Sequence, residues 1–142
     1  MILIDTNLWL YASLQELPHH VQAKRWLEDT INAQEPIALP WNVVLGVMRI
    51  STQSRLLQNP LRPSQAMELV DGWLQQSSVD LVEPGPAHWT ILCRLIGEVG
   101  AAGNLTSDAH LAALAIEHDW SLCSADSDFR RFPGLRWFNP LV

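Results

Sequence analysis

Short aliphatic runs alternate along this chain with longer stretches of helical periodicity. Met1 to Asp5 is apolar up to Asp5-Thr6-Asn7, a polar cluster suited to a strand end, and Pro36 to Pro40 is a second short run bracketed by prolines. Val79 to Val82 predicts a third strand, ended by Pro84-Gly85-Pro86, and Ser121 to Ala125 and Arg136 to Phe138 predict the last two. Between them, His19 to Asn32 places Ala23, Trp26, Leu27 and Ile31 within one arc of a helical wheel. Trp41 to Ile50 is apolar almost throughout, so periodicity alone does not separate helix from strand; its length and the strand just before it favour a buried helix. Pro63-Ser64 opens the cleanest amphipathic helix, with Ala66, Met67, Leu69, Val70, Trp73 and Leu74 in an arc of about 160°. Trp89, Leu92, Cys93, Leu95, Ile96 and Val99 mark another helical face, with Gly97, Gly100 and Gly103 at its end. Ser107 to His118 predicts a last helix, N-capped by Thr106 or Ser107 and apolar all round, hence buried.

Short apolar strands separated by helices predict a single α/β domain over residues 1–142, a parallel sheet with helices on both faces. In such sheets ligands bind outside the carboxyl ends of the strands. Acids gather at that edge. Asp5 ends the first strand, Asp126 follows the strand 121–125 directly, Asp128 lies two residues on, and Asp108 opens the buried helix. Each has an ordinary alternative: a first-turn acid favouring the helix dipole for Asp108, a turn residue for Asp5, caps of the DSDFRRF turn for Asp126 and Asp128. Together on one edge they predict a carboxylate cluster for a hard divalent cation, Mg²⁺ or Mn²⁺, which takes oxygen ligands and keeps several waters.

Composition narrows the picture. Of 142 residues 48% are hydrophobic and 17% charged, so the chain buries a core rather than remaining disordered. Seven tryptophans are divided in expectation between the core and a partner-facing surface. Cys93 and Cys123 lie in apolar runs with no CxxC, and are read as two buried free thiols in a reducing compartment. The segment MILIDTNLWL has no basic stretch and carries Asp5 too early for a signal peptide, and no apolar run approaches a membrane span; the expectation is a cytoplasmic protein with no membrane association. A net charge of −6 argues against a broadly basic nucleic-acid face, yet setting aside the four clustered aspartates leaves −2. Arg130, Arg131 and Arg136 follow the SADSDF motif, and Arg49 is placed near the same edge, where arginines hold phosphates by charge-assisted bonds. The five histidines are not read as ligands, with His110 given a structural role beside Asp108.

IDTN, TSDAHLAALAIEH and LCSADSDFRRFPGLRWFNPL, in this order, resemble the PIN-domain family, specifically a VapC-type ribonuclease toxin of a toxin–antitoxin pair. The resemblance covers essentially the whole chain. It implies a three-layer α/β/α domain with a central parallel sheet and a Mg²⁺-dependent endoribonuclease leaving 5′-phosphate and 3′-hydroxyl ends. Asp5, Asp108 and Asp126 then match metal-binding acids, Asp128 an accessory acid of the catalytic set, and Thr6 and Asn7 the polar pair that orients carboxylates and water. Arg49 and Arg130 remain candidates for holding substrate. The implied partners are an RNA substrate, a cognate VapB-type antitoxin whose apolar segment enters a groove, and a second copy forming a homodimer; the helical segments Trp41 to Ile50 and Ala66 to Leu74 supply the surplus apolar surface.

One departure stands out. The family carries a glutamate in the helix after the second strand, next to an arginine, whereas WNVVLGVMRI contains no acid; aligning on Arg49 puts Val47 or Met48 at that position. The departure keeps a second reading in view, a catalytically weak PIN-like module that binds RNA or protein.

Overall fold

The computed structural model describes residues 1–100 and 103–142. Five strands, β1 (Ile2–Ile4), β2 (Ile37–Pro40), β3 (Val79–Val82), β4 (Ser121–Cys123) and β5 (Trp137–Phe138), form one sheet in the order β3-β2-β1-β4-β5. Every pairing is parallel, with Leu3 opposite Ala38 on one side and Leu122 on the other. β1 and β2 are buried at every position, which explains their continuous apolar sequence: helices cover both faces, so no alternation is required. Among the described residues six helices supply the cover: α1 (Thr6–Ser13), α2 (His20–Asn32), α3 (Trp41–Ser51), α4 (Pro63–Leu74), α5 (His88–Val99) and α6 (Thr106–His118). Helix α1 packs against both α2 and α3, α3 packs against α4, and α5 and α6 form a separate pair.

The chain runs outward from β1 to β2 and β3, then returns to β4 and β5 on the other side of β1. The direction therefore reverses between β1 and β4, where the connections leaving the two strands diverge and open a crevice.

Helix α1 is absent from the sequence reading, which treated Asp5-Thr6-Asn7 as a strand-end turn. Asp5 instead caps a helix: its Oδ1 accepts from the backbone N–H of Thr6 at 2.7 Å, and Leu8, Trp9, Leu10 and Ala12 are buried behind it. Trp9 donates from Nε1 to the Ile4 carbonyl at 3.1 Å and meets Trp73 of α4 at 4.2 Å between ring centroids, locking α1 into the core. The N-cap of α6 also differs from expectation. The turn Gly103–Leu105 feeds straight into the helix, so Leu105 already has near-helical backbone angles and no side chain caps the end. Helix α5 closes, as its sequence suggests, at Gly100 with φ +72. The alanine-rich α6 is buried from Ala109 and from Leu111 to Ala115, its small side chains permitting close approach to the sheet.

Candidate functional site

The end of β1 and the end of β4 meet through one hydroxyl. Ser124, fully buried just past β4, donates from Oγ to Asp5 Oδ2 at 2.7 Å, and its Oγ accepts from Asn7 Nδ2 at 3.2 Å and from the Asp126 N–H at 3.0 Å. One small side chain thus fixes three polar residues of the predicted cluster. Asp126 then caps the short 3-10 turn Ser127–Arg131, accepting from the Asp128 N–H at 2.9 Å. Buried Phe129 anchors that turn, while Asp128 stays exposed.

Above Asp5 lies a cavity of about 300 Å³ lined by Asp5, Thr6 and Asn7 of the β1–α1 junction, Asn42, Gly46 and Arg49 of α3, and Ser107 and Asp108 of α6. Gly46 lets α3 approach closely at this seam: a Cβ there would come within 3.1 Å of the Thr6 side chain, which would have to give by a few tenths of an ångström. The structure therefore brings Asp5, Thr6, Asn7, Arg49 and Asp108 around one space. Asp126 adjoins it through Ser124, and Asp128 stands farther out. Arg130 lies with its guanidinium over the Trp137 ring, 5.1 Å from the centroid, rather than in the cavity.

The charges confirm that the acids share one field. Burial pushes the Asp5 carboxyl above its ordinary value; the bonds from Ser124 and Thr6 offset part of this, and Asp126 adds to it. Asp108 is pushed up to about 6, first by burial and then by repulsion from Asp5, Asp126 and Asp128. Among the described residues no donor reaches the Asp108 carboxylate, and Arg49 pairs with no acid within 4.0 Å. Like charges gathered in this way repel one another, a repulsion that a bound cation would offset.

The donor set fits a hard cation: carboxylates plus the Asn42 Oδ1, a buried oxygen with no hydrogen-bond partner. The acids are not preassembled, however. Among the described residues no three His, Cys, Asp or Glu side chains stand together as a ready ligand set. Mg²⁺ tolerates this arrangement, since it is held directly by one or two carboxylates and keeps water in its remaining positions.

Several expectations need correction. Neither Val47 nor Met48 occupies the place of the missing glutamate: Val47 is fully buried, and Met48 lines a different, apolar groove with Trp41 and Val44. Helix geometry gives the reason. Gly46 and Arg49 lie within about 40° of Asn42 on the wheel, whereas Val47 and Met48 lie more than about 100° away, so counting back from Arg49 by one or two residues leaves the cavity face. Asn42 is the α3 residue beside the acids. Arg136 is placed at the opposite edge, bonded through Nη1 to Asp119 Oδ1 at 2.8 Å and through Nη2 to the Asp119 carbonyl at 2.7 Å. Cys93 is exposed, with only Cys123 buried. His110 turns toward α5, its Nδ1 2.9 Å from His88 Nε2. Ser124 and Asn42 were missed; the hydroxyl two residues before Asp126 in LCSAD, and a polar residue opening an otherwise apolar helix, were the available signals.

The tryptophans divide as composition suggested. Trp9 and Trp73 are core, while Trp41 is 51% and Trp89 71% exposed. Trp41, Val44 and Met48 of α3, Met67, Val70 and Leu74 of α4 and Leu81 of β3 line an apolar groove of about 330 Å³ on the far side of α3 from the acids.

Residues 2–135 match the PIN domain family. Across 99% of both chains, the sequence is 42% identical to Ribonuclease VapC33 of Mycobacterium tuberculosis. It is 40% identical to Ribonuclease VapC37 of the same organism, covering 99% of this chain and 97% of the other. The fold matches VapBC2 from Rickettsia felis, crystallised bound to a promoter DNA fragment, with a TM-score of 0.72 at 21% identity over 98% of both chains. VapBC-1 from nontypeable Haemophilus influenzae matches at a TM-score of 0.68 and 13% identity over the full length of both chains.

Proposed function

Because this chain belongs to the PIN-domain family, we propose that it is a VapC-type endoribonuclease, the toxin of a toxin–antitoxin pair, acting on RNA phosphodiesters with Mg²⁺ or Mn²⁺. The observation that carries the reading is the cavity between α1, α3 and α6, where Asp5 and Asp108 face one space and burial, with repulsion from the neighbouring acids, raises Asp108 to about 6. Asp5, Asp108 and Asp126 would hold the cation, and Asp128 adds negative charge at the rim. When bound, the cation polarises the scissile phosphate and makes a water nucleophilic at neutral pH. Ser124 keeps the Asp5 carboxylate in one orientation and Asn7 in register with it. Thr6 backs the cavity wall against Gly46. Arg49, exposed and facing the cavity, meets a phosphate oxygen of the RNA, and Arg130 steadies the strand farther out. The products carry 5′-phosphate and 3′-hydroxyl ends.

The partner in this reading is a VapB-type antitoxin. The groove of Trp41, Met48, Met67, Leu74 and Leu81 suits an apolar segment, and this exposed surface also suits pairing of two copies. The described residues contain no helix long and apolar enough to cross a membrane, in keeping with action on cytoplasmic RNA.

Incubating an RNA panel with wild type and Asp5→Asn, with Mg²⁺ and with EDTA, tests the enzyme. Cleavage confined to wild type with Mg²⁺ is expected. Intact RNA throughout, with RNA still bound, would instead support the binding-module reading, which the absence of an acid on α3 and of a preassembled ligand set favours.

A further inference from the structure

Asn42 is the first polar residue after β2 and the second residue of α3, one turn ahead of Gly46. Its side chain borders the cavity that Asp5, Asp108 and Arg49 also line. Its Oδ1 is buried and finds no donor among the described residues. An amide oxygen withdrawn from water without a partner is destabilising, and none of the donors that line the cavity, Thr6, Ser107 and Arg49 among them, bonds to it. A carbonyl oxygen is, however, an ordinary ligand for a hard cation or for a water that cation carries. The rest of the cavity face of α3 is Gly46, which has no side chain, Arg49, which repels cations, and the apolar Ile50.

We propose that Asn42 is the neutral oxygen donor of this cation site, completing it with a carbonyl where an acid would add a further negative charge. The inference rests on the cation reading above. It explains why α3 carries no carboxylate: the acids already oppose one another, and a neutral donor serves the cation without increasing that repulsion. The affinity for the cation is accordingly lower than in a site with one more carboxylate, and an acid at this position would tighten binding while making the metal-free protein less stable.

Mn²⁺ titration of the EDTA-stripped full chain, followed by electron paramagnetic resonance of the free ion, tests this beside chemical denaturation of the metal-free protein. Asn42→Leu is expected to weaken Mn²⁺ binding about tenfold or more, while leaving metal-free stability unchanged or raised, because it removes an unpartnered buried oxygen. Asn42→Asp is expected to shift both readouts the opposite way, with tighter Mn²⁺ binding and a less stable metal-free fold at pH 7.5. A purely structural asparagine predicts a destabilised Leu variant with unaltered Mn²⁺ affinity, and that result overturns the proposal. If wild type binds Mn²⁺ and Asp5→Asn does not, unchanged affinity in both Asn42 variants overturns the role of Asn42 alone. If wild type itself binds no Mn²⁺, the cation reading falls and this inference with it.

Discussion

Helix α6 carries an acid near each end, and the fold treats the two in opposite ways. Glu117, in its last turn, is nearly buried and fully engaged: Oε1 accepts from the Gly85 N–H at 2.8 Å and Oε2 from the Ala87 N–H at 2.9 Å, with His88 and His118 Nδ1 at 3.9 and 4.0 Å. Burial pushes its carboxyl up, but the two backbone bonds and the neighbouring imidazoles outweigh burial and hold it below its ordinary value. Gly85 is shaped to this role, since a Cβ there would fall 2.5 Å from Glu117 Oε2. Asp108, in the first turn, has no such partners and sits at about 6 among other acids. Glu117 is a clamp that fastens the β3–α5 connection to α6. Asp108 weakens the folded state as it stands, and an acid kept at the expense of stability points to function.

The comparison is broken most severely by exchanging the two acids for amides in turn. Asp108→Asn is expected to lower Mg²⁺-dependent RNA cleavage by about a hundredfold or more, while the metal-free protein stays folded with equal or greater stability. Glu117→Gln is expected to do the reverse. It should destabilise the protein by about 2–3 kcal/mol in urea unfolding, as charge-assisted bonds become neutral, and leave cleavage per folded molecule near wild type. Because the folded Glu117 carboxyl is held low, its contribution is present above its unfolded value of 4.5 and fades as pH falls through the folded one; the gap between variant and wild type should therefore narrow in acid.

Smaller perturbations sharpen the contrast. Ser124→Ala removes the hydroxyl shared by Asp5, Asn7 and Asp126, and is expected to weaken Mg²⁺ about tenfold by calorimetry. The loss should grow as pH falls, since Asp5 without its donor protonates more readily. The smallest effect is in the metal-free wild type. Asp108 has its folded carboxyl raised from 3.8 to about 6, so the folded state holds a proton that the unfolded chain has released. Stability from this group is complete below 3.8 and is lost as pH rises through about 6. With Asp108 only half-buried, a melting temperature about 3 °C lower at pH 7 than at pH 5 is expected from this group, and absent in Asp108→Asn.

The elements with a single strong pattern were legible from sequence. β1, β2 and β3, the amphipathic α4 and the alanine-rich α6 stand where periodicity and breakers place them. Trp41 to Ser51 is a helix, as its length favoured. Helix α1 was hidden because Leu8, Trp9, Leu10 and Ala12 are buried around most of its circumference, leaving no polar stripe to mark a period. At the site, each aspartate announced itself by standing at a strand end or opening a helix. Their supporting groups did not. Ser124 reaches Asp5 across 119 positions of sequence, a contact that only the pairing of β1 with β4 creates. Asn42 is not legible from the immediate neighbours of Arg49, because a helix presents residues three, four and seven apart on one face. Arg136 shows the converse: it is close to the acids in sequence, yet β5 begins at the opposite edge, where Asp119 holds it.

The central claim, that the unsatisfied acids around Asp5 and Asp108 form a divalent-cation site, is tested most directly by counting protons released when Mg²⁺ binds. Calorimetric titrations at pH 6 in buffers of different ionisation enthalpy give that number. A carboxyl raised to about 6 is half protonated there and must lose its proton to accept the cation. The account predicts proton release on Mg²⁺ binding that falls as pH rises from 6 to 8, with about half a proton at pH 6 coming from Asp108 and therefore missing in Asp108→Asn. Mg²⁺ binding with no proton release at pH 6, or with the same release in wild type and Asp108→Asn, would place the cation elsewhere and contradict the account.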